Sequence, residues 1–414
     1  MKSLSMGRLW HHEDFMRLWV SQTIEAVGGE VTNLALPTVA ILLLNAGAMD
    51  MGILNGLQML PVPVLGVFVG VWADRWRRRP MMVAANLGRM LTLLWVPLAF
   101  IFGILQLHQL FIVATLLGIF TVFFDVANQS YLPSLIERGD LIEGNSKIQT
   151  TQSGAQVVGP ALGGFLIKLL GAAQAFAVEA FGFLCSALMI FSIRKPEAPL
   201  HSNLDRNFVR ELKEGGRIVF SNPVLRSITA CTAMLNFGAG VYFAVVYLFL
   251  YDQLSLPPET VGLIFTLGAV GFVVGALTAS KAASVLGLGP SLAVSIIFQG
   301  ICLALIPFAV YGPTIPLVGL FLMLSNVGIP IYNINQVSLR QAITPDHIQG
   351  RMNATVRSII RGTLPLGSFI GGILGTQFGI FSTLVTGAAL STVGVIFLFI
   401  EPVRSLREIP TVRT

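Results

Sequence analysis

The sequence predicts an all-α membrane protein, twelve transmembrane helices in two six-helix pseudo-symmetric bundles. Three observations carry that prediction. Only 11% of the residues are charged and 54% are hydrophobic, whereas a soluble domain has about 25% charged residues. Twelve apolar segments, six on each side of a polar interruption, are each long enough for a hydrocarbon layer of roughly 30 Å. The halves also repeat: Asn145, Gly159, Gly163-Gly164 and Leu166 return at an offset of 208 as Asn353, Gly367, Gly371-Gly372 and Leu374, and the same offset sets Asp125 on Asn333.

The apolar segments run 16–44, 51–73, 81–103, 109–136, 143–169 and 173–193, then 224–251, 259–284, 290–311, 314–341, 349–377 and 380–400. They predict an N-terminal bundle over 1–193 and a C-terminal bundle over 224–414. The 194–223 stretch between them is too polar to insert, and its pattern around Asn207–Lys213 predicts a cytoplasmic linker with an interfacial amphipathic helix. Abundant glycine (42) and phenylalanine (28) suit helices that touch closely in lipid.

The net charge of +6 is distributed rather than clustered. Lys and Arg fall at the N-terminus, at 75–79, at Arg138 and Lys147, from Arg194 to Arg226, at Lys281, at 340–357 and at the tail. The alternate connections 45–50, 103–109, 251–260, 311–316 and 378–380 hold none, and only Lys168 sits near that face. This is the positive-inside pattern for a multi-pass protein of the cell (inner) membrane with both termini cytoplasmic, and it speaks against a nucleic-acid partner. The first span serves as an uncleaved insertion signal. Cys185, Cys231 and Cys302 lie inside apolar spans, so neither a disulfide framework nor a metal site is implied.

The densest charge cluster is Gly70-Val71-Trp72-Ala73-Asp74-Arg75-Trp76-Arg77-Arg78-Arg79-Pro80, which must be a short aqueous loop between two spans. It resembles the G-x-x-x-D-R-x-G-R-R signature of the major facilitator superfamily, through Gly70, Asp74, Arg75, Arg78 and Arg79, with Arg77 where that pattern has glycine. The runs Phe15-Met16-Arg17-Leu18-Trp19, Phe123-Phe124-Asp125-Val126-Ala127 with Leu132-Pro133, and Gly159-Pro160-Ala161-Leu162-Gly163-Gly164 resemble the branch of multidrug, macrolide and enterobactin exporters. The last resembles the helix 5 motif of proton-coupled antiporters, except that Ala155 replaces its leading glycine. The helix 4 arginine motif of some drug antiporters has no match.

The resemblance implies a major facilitator fold, alternating access and two mechanical devices. In the loop, Asp74 sits at the cytoplasmic N-terminus of helix 11, where the helix dipole favours an anion, and Arg75, Arg78 and Arg79 tie neighbouring helix ends in the outward-open state. In helix 5, Gly159, Pro160, Gly163 and Gly164 bend the helix and seal the cavity against leak. The second half lacks the acid and most of the arginines of the loop (275–281), so the lock is asymmetric.

Helix 1 carries Gln22, Glu25, Thr32 and Asn33 within an arc of about 100°, with Glu30 about 60° beyond, at 100° per residue. An acid at membrane depth is a functional-site hypothesis in itself, so Glu25, Glu30 and, on helix 4, Asp125 are the candidates for proton coupling. The packing alternative is a carboxylate paired with arginine: Glu25 or Glu179 with Arg89, or Asp125 or Glu137 with Arg78 or Arg79. Thr121, Asp125 and Asn128 share one face of helix 4. Gln149, Gln152 and Gln156 form a stripe on helix 5. In the second half Asn236, Phe243 and Tyr247 on helix 7 and Asn326, Asn333 and Gln336 on helix 10 do likewise. The substrate-cavity candidates are thus Gln22, Asn33, Arg89, Gln152, Gln156, Asn236, Tyr247, Asn333 and Arg361. Arg89 and Arg361 either line the cavity or pair with membrane acids.

No G-x-S-x-G, P-loop, H-E-x-x-H or Cys/His cluster is present, so an enzyme is not expected, nor a cofactor or metal. The expected activity is proton-coupled efflux of small lipophilic compounds by a monomer in contact with membrane lipid, with a resistance role. Alternatives are a lysophospholipid or siderophore transporter, or a transporter-like receptor. A long signalling tail would favour the receptor, and only about a dozen residues follow Glu401.

Overall fold

The computed structural model describes residues 7–197, 208–399 and 403–407. Among these there is no strand, and eleven helices are long and apolar enough to cross a membrane. In the first half they are α1 (Glu13–Thr38, continued by a π turn to Leu43), α4 (Arg78–Ile101), α5 (Leu107–Leu135), α6 (Leu141–Leu170) and α7 (Ala172–Phe191). The span expected at 51–73 is two helices, α2 (Ala48–Met59) and α3 (Pro61–Arg75). Pro61 and Pro63 have no N–H, so two donors vanish from one turn of the ladder. Leu60 keeps helical dihedrals (φ −57°, ψ −37°), which holds the path of the chain. In the second half they are α9 (Pro223–Leu248), α10 (Pro258–Leu286), α11 (Leu288–Leu305), α12 (Thr314–Ala342), α13 (Asp346–Phe378) and α14 (Ile380–Val393, extended by a 3-10 segment to Phe399), preceded by the shorter α8 (Phe208–Ser221), which is not one of the eleven.

By contact the chain divides into two compact units, Met1–Asn45 with Leu60–Leu204, and Ala46–Met59 with Asp205–Thr414. The division departs from the expected 1–193 bundle at α2, which lies on α13 and α9 of the second unit. A Cβ on Gly52 would stand 2.6 Å from the Gly372 Cα, and one on Gly56 2.6 Å from the Phe369 ring. Only bare glycine backbone permits that approach.

The two units use one packing plan. In the first, α1 lies against α6 and α7, α4 against α5 and α7, and α3 against α5. In the second, α9 lies against α13 and α14, α11 against α12 and α14, and α10 against α12. The 208-residue offset also reaches the turns. Gly171 (φ +93°) alone joins α6 to α7, and Gly379 (φ +83°) alone joins α13 to α14. A one-residue link at that dihedral favours glycine. Large apolar side chains such as Leu91, Ile101, Phe165, Phe181, Leu277 and Val285 stay exposed, as suits faces that meet hydrocarbon rather than water.

The amphipathic helix of the linker is docked within the second unit. Glu214 of α8 meets Arg351 of α13 at 2.6 Å, and Val219, Leu225, Met352 and Val356 form a buried cluster beneath it.

Candidate functional site

In the first unit α1 carries the chemistry. Ser21 and Glu25 are one turn apart on a face turned to α4 and α7. Glu25 Oε1 accepts hydrogen bonds from Asn86 Nδ2 (2.8 Å) and Ser186 Oγ (2.6 Å), and its Oε2 faces Arg89 Nη1 at 3.1 Å. The two ionic side chains are only 10% and 6% exposed. The Arg89 guanidinium lies over the rings of Phe124 (4.7 Å) and Phe183 (5.2 Å), which receive the flat cation without demanding a second anion. Arg89 therefore takes the pairing alternative, with Glu25.

One turn further along α1, Gly28 leaves room for Glu179 of α7, whose Cγ would stand 3.2 Å from a Cβ there. Glu179 is 6% exposed and accepts a short hydrogen bond from Thr32 Oγ1. On the opposite side of α1, Glu30 packs on α6 at Gly159, where an added Cβ would overlap that of Glu30. The helix 5 glycines thus have a definite task in the first unit: Gly159 and Gly163 let α6 lie on the Glu30–Leu34 stretch of α1.

Other first-unit candidates are dispersed. Gln22 is buried and donates to Asn128 of α5 (2.8 Å). Asn33, Asp125, Gln152 and Gln156 are exposed on α1, α5 and α6.

The signature stretch is a tight helix junction. α3 ends at Arg75, Trp76 and Arg77 are extended, and α4 begins at Arg78. Arg77 has φ −65°, a conformation any residue adopts, so glycine is dispensable there. Glu197, from the chain beyond α7, accepts from the backbone N–H groups of Arg78 (2.8 Å) and Arg79 (2.7 Å) and so caps α4. The Arg79 guanidinium donates to the Phe191 carbonyl and lies over that ring. Glu137, one acid considered for these arginines, instead meets Arg8 at 3.5 Å. The side chains of Asp74 and Arg75 lie outside the described residues, and a Cβ on Gly70 would meet nothing within 4 Å. Glu197→Ala is expected to cost about 1–2 kcal/mol of stability by uncapping α4. Glu197→Gln should cost less, because one oxygen still accepts. An unfolding midpoint of Glu197→Ala equal to that of the parent protein in detergent would mean the cap is idle.

The second unit encloses a cavity of about 240 Å3 among α9, α10, α11, α12 and α13. Asn236 and Asn333 line it, joined by Tyr242, Phe243, Gln299 and Asn326, and no acidic or basic side chain does. Tyr247 is beside it, stacked on Tyr251 (6.3 Å) and tilted against the lining Phe265 (5.4 Å). Arg361 is exposed on α13 and outside the lining. Sequence reasoning missed Asn86, Ser186, Glu197, Tyr242 and Gln299. Among the described residues no three His, Cys, Asp or Glu side chains gather as metal ligands.

The profile of the Major Facilitator Superfamily matches residues 18–354 and, overlapping, 228–413. The chain belongs to that family. Among similar proteins, this major facilitator is 27% identical to the multidrug efflux pump Tap of Mycolicibacterium fortuitum, over 92% of this chain and 93% of that one. It is 23% identical to the enterobactin exporter EntS of Escherichia coli, over 98% and 96%. A crystal structure of a bacterial homologue of the iron transporter ferroportin, in an inward-facing state, superposes with a TM-score of 0.76 at 15% identity, over 93% and 97% of the two chains. The fold of this major facilitator is accordingly the twelve-helix one, with α2 and α3 together as its second span, and the protein is a membrane transporter.

Proposed function

We propose that this transporter exports small lipophilic compounds across the cell inner membrane in exchange for protons, by alternating access, as a monomer with both termini cytoplasmic. Direction and substrate class rest on the likeness to a multidrug pump and a siderophore exporter along nearly the full length of each, together with a second-unit cavity that no charged side chain lines. One observation carries the coupling. Glu25, Glu30 and Glu179 lie on or against α1, and among the described residues Glu25 is the one of the three seen ion-paired, with Arg89. More carboxyls than cations at membrane depth is what a proton-carrying site requires. A proton on Glu25 removes the ion pair and frees Arg89, which keeps its two aromatic rings; release of the proton restores the pair. Glu30 transmits any change to α6 through Gly159, and Asp125 on α5 is the third candidate.

The test is dye accumulation by inverted membrane vesicles, whose lumen stands for the cell exterior, under an imposed pH gradient, with Glu25→Gln, Glu30→Gln and Asp125→Asn. At least one variant is expected to lose gradient-driven transport while inserting normally. Parent-like transport by all three, or transport indifferent to the gradient, would sink the coupling, and loss only on sodium removal would reassign the ion. The likeness to EntS favours a siderophore as the second reading of the substrate, which competition with the dye would reveal.

A further inference from the structure

Two grooves flank the start of α4, and Arg77 stands at the head of both. The first, about 620 Å3, has Trp76, Met81, Phe120 and Phe123 in its walls. The second, about 460 Å3, has Val83, Leu87 and Phe191. Pro80 and Ala84 line both, so α4 forms a low ridge between them. The grooves open outward, since Trp76, Leu87 and Phe191 are exposed. Trp76 stacks on Trp72 (5.9 Å), which is exposed as well. Exposed tryptophans at the end of a spanning helix belong at the level of the lipid headgroups.

The Arg77 side chain has no task within the protein. Its backbone conformation suits any residue, the side chain is exposed, and among the described residues it meets no carboxylate. The cations near it are short of anions too. Arg79 and Lys195 line the second groove and donate to neutral carbonyls, those of Phe191 and Leu135. Glu197, the acid of that lining, spends its two oxygens on the backbone N–H groups of Arg78 and Arg79. The end of α4 is therefore already capped, and what is left over is positive side-chain charge above apolar walls.

From this we infer that an anionic phospholipid sits astride α4, with its phosphate on Arg77 and one acyl chain in each groove. A basic rim over apolar clefts between spanning helices is how acidic headgroups are recognised, and a guanidinium grips a phosphate through two N–H groups at once. A phosphatidylcholine has the same chains and phosphate, but its quaternary amine would lie among Arg79 and Lys195. The inference does not depend on the direction or the coupling of transport.

Quenching of tryptophan by lipids brominated on their chains tests it, with the full chain in phosphatidylcholine vesicles. Brominated phosphatidylglycerol is compared with brominated phosphatidylcholine at equal mole fraction, and the Trp76 signal is the part lost in Trp76→Phe. The parent protein is expected to prefer phosphatidylglycerol there by roughly fivefold or more, because each cation near the surface is worth about fivefold towards an acidic lipid. Arg77→Gln should cut the preference about fivefold, and Arg77→Lys, which keeps the charge but loses the fork, should fall between. Arg138→Gln, an exposed cation outside both linings, is the control and should change nothing. Equal quenching by the two lipids overturns the inference and leaves the grooves to bulk bilayer. An undiminished preference in Arg77→Gln overturns it as well. So does an equal drop in Arg138→Gln, which would make the attraction a property of the whole basic face rather than of this site.

Discussion

Arg89→Leu is expected to lower the unfolding free energy by about 3–5 kcal/mol, the range for removing one partner of a buried ion pair. The reason is what the substitution leaves behind. Glu25 stays 10% exposed, held by Asn86 and Ser186 but with no cation, and the rings of Phe124 and Phe183 lose the group they enclose. Glu25→Gln is the milder change, about 1–3 kcal/mol, because the amide oxygen still accepts from Asn86 and Ser186 while Arg89 keeps both rings. Glu25→Gln combined with Arg89→Leu should be less damaging than the sum, with a coupling of about 1–3 kcal/mol. Unfolding midpoints in detergent, read as a double-mutant cycle, measure this directly. An Arg89→Leu midpoint within a degree or two of the parent would mean that the pair does not hold α1, α4 and α7 together, and a structural role for it would have to be given up.

Much of this arrangement can be read from the chain, and the limits have physical causes. Span positions follow from hydropathy because a bilayer filters for it. The second span hides its break because Pro61 and Pro63 are as apolar as their neighbours; only the missing N–H groups distinguish them. The sequence offers Arg89 two partners, Glu25 and Glu179, of the same chemistry, and spacing cannot rank two acids on different helices. Ser21, one turn from Glu25, was the available local sign of a polar network on that face. Glu197 gave no sign at all. It caps α4 from 118 residues further along, in a polar stretch where one more acid is unremarked. The second-unit cavity was half legible. Asn236 and Asn333 mark polar faces on long apolar helices, but Gln299 is the lone amide in α11, and its companions at four-residue spacing, Ser291 and Ser295, bond their own helix backbone.

The repeat supports a sharper expectation, at Gly159 and its counterpart 208 residues on, Gly367. Both are helix glycines pressed on another helix: Gly159 of α6 on α1, and Gly367 of α13 on α9. The obstacles differ. A Cβ at 159 would overlap the Cβ of Glu30, while one at 367 would overlap the Phe237 carbonyl oxygen and stand 3.1 Å from the Gly240 Cα. Neither can be relieved by a rotamer change, so α6 must move from α1, or α13 from α9. Overpacking of this kind costs about 1–3 kcal/mol, and Gly367→Ala should be the worse of the two because only backbone can give way. Gly154→Ala on the same α6 is the control. A Cβ there meets nothing within 4 Å, so the substitution should be neutral or stabilising by up to about 1 kcal/mol, the helix preference of alanine over glycine. The functional consequence is expected to split the pair. Gly159→Ala displaces Glu30, a candidate proton carrier, and should reduce gradient-driven extrusion beyond what its lower stability explains. Gly367→Ala touches no ionisable group and should lose transport only in step with folded protein. Equal midpoints for Gly154→Ala, Gly159→Ala and Gly367→Ala would show that these contacts relax freely, and the glycines of the helix 5 motif would then need another explanation than close approach.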